Sequence, residues 1–461
     1  MNETSCSQCW EASASRRDFL SVGSLGLLGI SLGQYLGLRS ALGAARGSRA
    51  TAQACILLWL EGGPPQTDTW DPKPNSSFKA ISTNVPGIQI SELFPKVAQR
   101  LDKVALIRSV ETREGSHPQG TYESMTGHRP SAVTQFPSLG SIVAKERGQR
   151  NHLPAYVMIN KAYAVEPFSY DPAFSSGFLD ARYNPLVLED PHVYGNSKAD
   201  RPHEVAGWAK LRMPDLSLPK SVTPEMIEDG QSFLSVVDQQ FRRREKLAEF
   251  SKMDTFRSQA LSMILSGEVK RAFDLSQESE RVKKAYGANR VGQSVLLARR
   301  LVEGGCRFVT AAPYKTGQWD THGKNDAMMK NTLAPSADQA VSVLLDDLSQ
   351  RGLLDTTLVV VMGEFGRTPD MNPFGGRDHW PHCWSLVMAG GGIRGGRVIG
   401  TSDEKAAYVA DRRVSIGDVF ATIYKALGID WSKSYETPSG RPVYIANALD
   451  DKLGSPIEEL L

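Results

Sequence analysis

The sequence predicts an α/β fold in which a mostly parallel sheet is covered by helices on both faces. Apolar runs of strand length alternate with segments of helical periodicity along the chain. The strongest runs are continuous rather than alternating, as strands buried on both faces require. No internal repeat competes with this reading. At 461 residues, 41% hydrophobic and 23% charged, the chain can bury a large core, which excludes wholesale disorder.

The elements follow in order. Ala54 to Leu60 is an apolar strand that opens into the Glu61-Gly62-Gly63-Pro64-Pro65 loop. Ser91 starts a helix with Leu93, Val97 and Leu101 inward, and Val104 to Ile107 is a second strand. A Gly/His segment then leads into a helix ending near Gly127, and Leu153 to Ile159 is a third strand. Residues 161–222 are rich in Pro, Asp and Asn and read as a lid-like excursion. From Pro224 to about Tyr286 the chain is polar and helical, so an insertion spans about 161–285. A helix over Asn289 to Val302 feeds a strand at Arg307 to Thr310, and Asn325 to Leu348 is one long helix. Thr357 to Met362 is the most apolar strand; Ser385 to Ala389 and Arg397 to Ile399 follow, and Gly417 to Leu427 closes the fold as a helix.

The N-terminus reads as an address. Ser15-Arg16-Arg17-Asp18-Phe19-Leu20 precedes a Gly-rich apolar stretch to Leu42, the pattern of a twin-arginine export signal over residues 1–50. This predicts passage through the twin-arginine machinery to the periplasm or beyond, with no stable membrane insertion after cleavage. A retained anchor is the competing reading. Cleavage falls between Ala44 and Ala54, and Ala50-Thr51-Ala52 fits the small-x-small rule. Cys6 and Cys9 lie in the removed part; Cys55, Cys306 and Cys383 lack framework spacing, so the fold is not built on disulfides. Beyond residue 50, basic and acidic side chains balance at 48 each, which excludes a general attraction to nucleic acid.

Ligands of open parallel sheets bind at the carboxyl ends of strands. Four polar segments follow predicted strands directly: Glu61 with Asp68, the Ser116-His117-Pro118 region, Trp319-Asp320-Thr321-His322, and Glu364 through Arg367 to Asp378-His379. Carboxylate and imidazole together are a ligand set for Zn²⁺, Mn²⁺ or a related divalent ion, with Ca²⁺ as a further option. Glu61, Asp68, Asp320, His322, Glu364, Asp378 and His379 are the candidate ligands. Each has a structural alternative: a loop hydrogen bond for His117, helix capping for Asp320 and His322, an ion pair with Arg367 for Glu364, and turn chemistry for Asp68. His382 reads as packing behind the site.

Leu58 to Pro74, Trp319 to Gly323, Gly363 to Pro369, Gly376 to Pro381 and Ala389 to Gly396, together with the twin-arginine start, resemble the bacterial "domain of unknown function 1501" family over nearly the whole mature chain. That family is similar to the alkaline phosphatase and sulfatase superfamily. The resemblance implies an alkaline-phosphatase-like three-layer sandwich over residues 51–461, with a small additional antiparallel sheet or lid. It implies hydrolysis of phosphate or sulfate esters, small or polymeric, at one or two metals. It aligns Glu61 with the carboxylate after the first strand, Asp320 and His322 with an Asp-plus-His metal motif, and Glu364 and Phe365 with an Asp-His pair. His379 corresponds to a late lone histidine. The nucleophile position, nine residues before Thr126, is His117, and Ser116 and Thr121 are the nearest hydroxyls. No Cys stands there, which argues against formylglycine chemistry.

Two expectations result. One is an exported metal-dependent hydrolase in which His117 attacks or positions water and Arg367 or Arg377 holds the anionic ester. The other is an exported binding or scaffold protein on the same fold with a degenerate site.

Overall fold

The structure is a computed structural model that describes residues 51–160, 171–188, 266–314 and 318–461. The segment read as an export signal, and most of the excursion after the third strand, lie outside the described residues. No helix among the described residues is long and apolar enough to cross a membrane.

The sheet is built from β1 (Ala54–Trp59), β2 (Val104–Glu111), β3 (Tyr156–Ile159), β4 (Leu186–Leu188), β5 (Phe308–Ala311), β6 (Thr357–Met362), β7 (Trp384–Ala389), β8 (Arg397–Ile399) and β9 (Val414–Ser415). Their order is β8-β2-β7-β6-β1-β5-β3-β4, with β9 also pairing with β2. All pairings are parallel except those of β7, which runs antiparallel between β6 and β2. Two reversals restore direction, so β2 points the same way as β6, β1 and β5. Their carboxyl ends share one edge.

Helices cover both faces. On one side α3 (Arg290–Glu303) and α4 (Ala334–Gln350) bury Val295, Leu297, Leu344 and Leu345 against Ile56 and Leu58 of β1. On the other, α1 (His117–Thr126), α2 (Leu139–Arg147) and α5 (Ile416–Ala426) set Met125, Ile142 and Phe420 against Cys55, Leu57 and Trp59. Alternate residues of β1 thus enter opposite cores, as strand geometry demands. The result is a three-layer α/β sandwich, and small two-stranded antiparallel sheets accompany it.

Differences from the sequence reading have local causes. The helix expected from Ser91 is a short strand, Gln89–Ser91, followed by a four-residue helix that starts only at Pro95. The third strand begins two residues after Pro154, not at Leu153. The long helix from Asn325 carries a π-turn, Met329–Leu333, ahead of α4. Pro335 lacks the N–H that an α-turn would need, and the widened turn precedes it. Leu186–Leu188, inside the segment read as excursion, forms the edge strand β4.

Candidate metal centre

Three histidines come from three different segments. His117 opens α1 after the loop that leaves β2. His322 lies on the loop beyond β5. His379 belongs to a two-residue ribbon in which it pairs with Arg367. All three rings face Asp320: its Oδ1 lies 3.0 Å from His322 Nε2 and 3.1 Å from His379 Nε2, and its Oδ2 lies 3.3 Å from His117 Nε2. His117, Asp320 and His379 bring ligand atoms within 4.8 Å of one another. The His322 and His379 Nε2 atoms are 3.0 Å apart.

The other nitrogen of each ring explains why. His379 Nδ1 is 2.7 Å from the Gly115 carbonyl, which can only accept, so Nδ1 carries the proton. His322 Nδ1 donates to Asp378 at 2.8 Å, and His117 Nδ1 donates to Glu364 at 2.6 Å. These partners fix the tautomers and leave the Nε2 lone pairs directed at one carboxylate. Two lone pairs facing each other at 3.0 Å repel unless a cation or a proton stands between them. The residues whose ligand atoms gather within 4.8 Å of one another, His117, Asp320 and His379, supply two imidazole nitrogens and a carboxylate oxygen, donors that suit zinc. The donor set therefore fits a divalent ion.

The charges agree. Burial alone would raise the Asp320 pKa, but its contacts with the His117 and His379 rings and the Arg367 guanidinium hold it well below the ordinary carboxylate range. Burial would lower the His117 pKa, yet the Asp320 and Glu364 carboxylates carry it up to about 9. In the ion-free protein a proton thus takes the place that a cation would fill. Asp378 is held below its usual value by His322 and Asn372.

The backbone around the cluster is tight. Gly62 N–H donates to both oxygens of Glu364, at 2.9 and 3.1 Å. With φ at +114°, a Cβ on Gly62 would stand 2.8 Å from the backbone of Trp319, next to Asp320. Gly376 likewise lies against the His322 backbone, where no side chain fits. Phe365 is fully buried, and its ring supports those of His117 and His379 at centroid distances of 5.1 and 4.7 Å.

The remaining predicted residues divide. Glu364 and Asp378 bond to the outer nitrogens of His117 and His322 rather than joining the Nε2 cluster. Glu61 is buried, and its carbonyl accepts from Trp319 N–H. Asp68 is not brought to the cluster: it accepts a bidentate pair from Arg377 at 2.9 and 3.0 Å and further bonds from Ser76 and Asn325. Arg367 is fully buried, and its donors go to the Gly62, Gly63 and Arg377 carbonyls and to Asp320. Both guanidiniums expected to hold an ester are thus committed inside the protein. His382 packs on Trp380 and Tyr408.

Sequence reasoning missed Gly115 and Asn372, and it met Phe365 only as the residue aligned with the histidine of an Asp-His pair. Asn372 accepts from Phe374 and Gly376 N–H while its Nδ2 donates to Asp378 and the His322 carbonyl. Its place before Pro373 signals a turn but not the histidine that the turn supports.

Among solved structures, the chain is similar to the PsFucS1 sulfatase from Pseudoalteromonas sp. (11% identity, TM-score 0.37, covering 87% of this chain and 72% of that one). It is similar to the alkaline phosphatase from the Antarctic bacterium TAB5 (11%, 0.37, 82% and 98%). A third is the C-terminal periplasmic domain of EcEptC from Escherichia coli, in complex with Zn (9%, 0.37, 89% and 92%). Likenesses at this level carry no argument about chemistry. No curated protein matches the sequence significantly. A family model does match, over residues 52–460, and the chain belongs to the family described as "Protein of unknown function (DUF1501)".

Proposed function

We propose that the protein is an exported metal-dependent hydrolase of phosphate or sulfate esters, acting in the periplasm or outside the cell after twin-arginine export. The observation that carries this reading is the convergence of three tautomer-locked imidazoles on Asp320. His117, Asp320 and His379 would hold the ion, with His322 beside them, and Zn²⁺ or Mn²⁺ suits nitrogen-rich donors better than Ca²⁺. A bound divalent ion supplies Lewis acidity to an ester oxygen and lowers the pKa of water.

The chain's own groups have assignable work. Glu364, anchored by Gly62, keeps the His117 ring oriented and takes up positive charge developing on it. Arg367 holds Asp320 in place and acts as a positioning residue. Asp378 fixes His322, which is 46% exposed and faces incoming substrate. Asp68 and Arg377 brace the loops that carry Asp320 and His379.

A second reading has one observation in its favour. Arg367 and Arg377, the guanidiniums expected to hold an anionic ester, are both committed to partners inside the protein. On that reading the protein would be an exported scaffold.

The experiment is to purify the folded chain, measure its metal content, and assay aryl phosphates, a phosphodiester and aryl sulfates with added Zn²⁺, Mn²⁺ or Ca²⁺. Turnover that falls at least a hundredfold in Asp320→Asn supports the hydrolase. Stoichiometric metal without turnover on any ester favours the scaffold. Turnover unchanged in Asp320→Asn removes the proposed centre.

A further inference from the structure

The glycine-rich turn after β7 has no part in the site, and it lies at the opposite edge of the sheet. Gly390, Gly391 and Gly392 all have positive φ. Together with the end of α5 they enclose the start of the described chain. Thr51 Oγ1 donates to the Gly391 carbonyl at 2.6 Å. Ala52 N–H donates to the Ala426 carbonyl at 2.9 Å, and Gln53 N–H to the Thr356 carbonyl at 2.7 Å. Ala52 is fully buried within the core formed with Leu358 and Ile393. A Cβ on Gly391 would meet Ala52 Cβ at 3.0 Å, and one on Gly392 would meet Thr51 Cβ at 2.6 Å. The glycines leave the space that these two residues occupy.

We infer that this clasp places the maturation cleavage upstream of Thr51 and protects the Ala52–Gln53 bond. The inference rests on the export reading for its physiological setting. Susceptibility to proteolysis follows burial and hydrogen bonding of the backbone at the bond that is cut. A peptidase binds its substrate extended, so cutting after Ala52 requires all three hydrogen bonds to break and Ala52 to leave the core. Hydrolysis there adds one water across the amide, leaving a carboxylate on Ala52 and an ammonium on Gln53. That product loses Thr51 and Ala52 from their places and puts a charge where Gln53 N–H now meets Thr356. The small-x-small triplets Gly43-Ala44-Ala45 and Ser48-Arg49-Ala50 keep the clasp intact; Ala50-Thr51-Ala52 does not.

The test exports the full 461-residue chain and reads the start of the mature form by intact mass and N-terminal sequencing. A mature chain starting at Thr51 or earlier is expected; one starting at Ala52 or later overturns the inference. Export unchanged in Arg16→Lys/Arg17→Lys overturns the twin-arginine reading and leaves the protection of the bond to be judged separately. For that, the purified folded precursor is treated with elastase, which cuts after small residues. The stable fragment is expected to retain Thr51 to Gln53, and Thr51→Val to be cut after Ala52 about fivefold faster, as loss of one hydrogen bond implies. A wild-type fragment starting at Gln53 as early as any other product overturns the clasp whatever the export result.

Discussion

Replacing Glu364 by glutamine separates an outer role from direct ligation. The carboxylate accepts from His117 Nδ1 at 2.6 Å and from Gly62 N–H at 2.9 and 3.1 Å. An amide oxygen can serve one of these donors, while the amide NH₂ then faces the other. Loss of an outer partner of a metal-bound histidine costs about 10- to 100-fold in metal affinity, or about 1.4–2.7 kcal/mol. Asp320→Asn is the comparator. If a total of about 10–16 kcal/mol is shared among the three ligands, each contributes about 3–5 kcal/mol, or about 160- to 5,000-fold. Zinc affinity measured by competition with a chromophoric chelator at fixed pH should therefore rank wild type, Glu364→Gln and Asp320→Asn in descending order. A loss in Glu364→Gln equal to or greater than that in Asp320→Asn would refute the assignment and make Glu364 a ligand.

Three further outcomes are expected. Since His117 in the ion-free protein titrates at about 9, zinc binding at pH 7 should release about one proton from it, falling toward none above pH 10. Calorimetry in buffers of different ionisation enthalpy measures this, and a pH-independent count would contradict the coupling. Asp68→Asn leaves the buried Arg377 without its counter-charge and should cost about 3 kcal/mol in chemical denaturation without changing metal stoichiometry; loss of metal with unchanged stability would return Asp68 to the ligand set. Burial, the main cause, pushes His128 down to about 4. Because its folded pKa lies below the unfolded value of about 6.5, its contribution is complete above pH 6.5 and is lost as pH falls toward 4. About 3 kcal/mol is at stake, and the pH slope of stability in that window should be shallower in His128→Phe than in wild type.

Much of the layout was legible because buried parallel strands are continuous apolar runs. Thr357–Met362 and Arg397–Ile399 have the bounds that the sequence predicts. Loops at strand ends brought Asp320, His322, His379 and His117 onto the same short list, since topology sends those ends to one edge. Less legible was the division of labour. Glu364 and Asp320 are both carboxylates after core strands, and only the direction of the imidazoles tells which one faces the three Nε2 atoms. Arg367 and Arg377 read as anion holders because guanidinium suits esters; their burial against carbonyls and Asp68 depends on how loops 62–76 and 366–378 interlock, which no local pattern encodes.

The partners of His117 and His379 lie far along the chain: 247 residues separate His117 from Glu364, and 264 separate Gly115 from His379. A ribosome that has made the first three hundred residues has delivered one of the three imidazoles and no Asp320. The nascent polypeptide therefore lacks the proposed His117, Asp320 and His379 centre. On the proposed metal reading, selection of the ion is deferred until translation is nearly over, when the cellular pool of free metal, rather than the order of synthesis, decides which one is taken up.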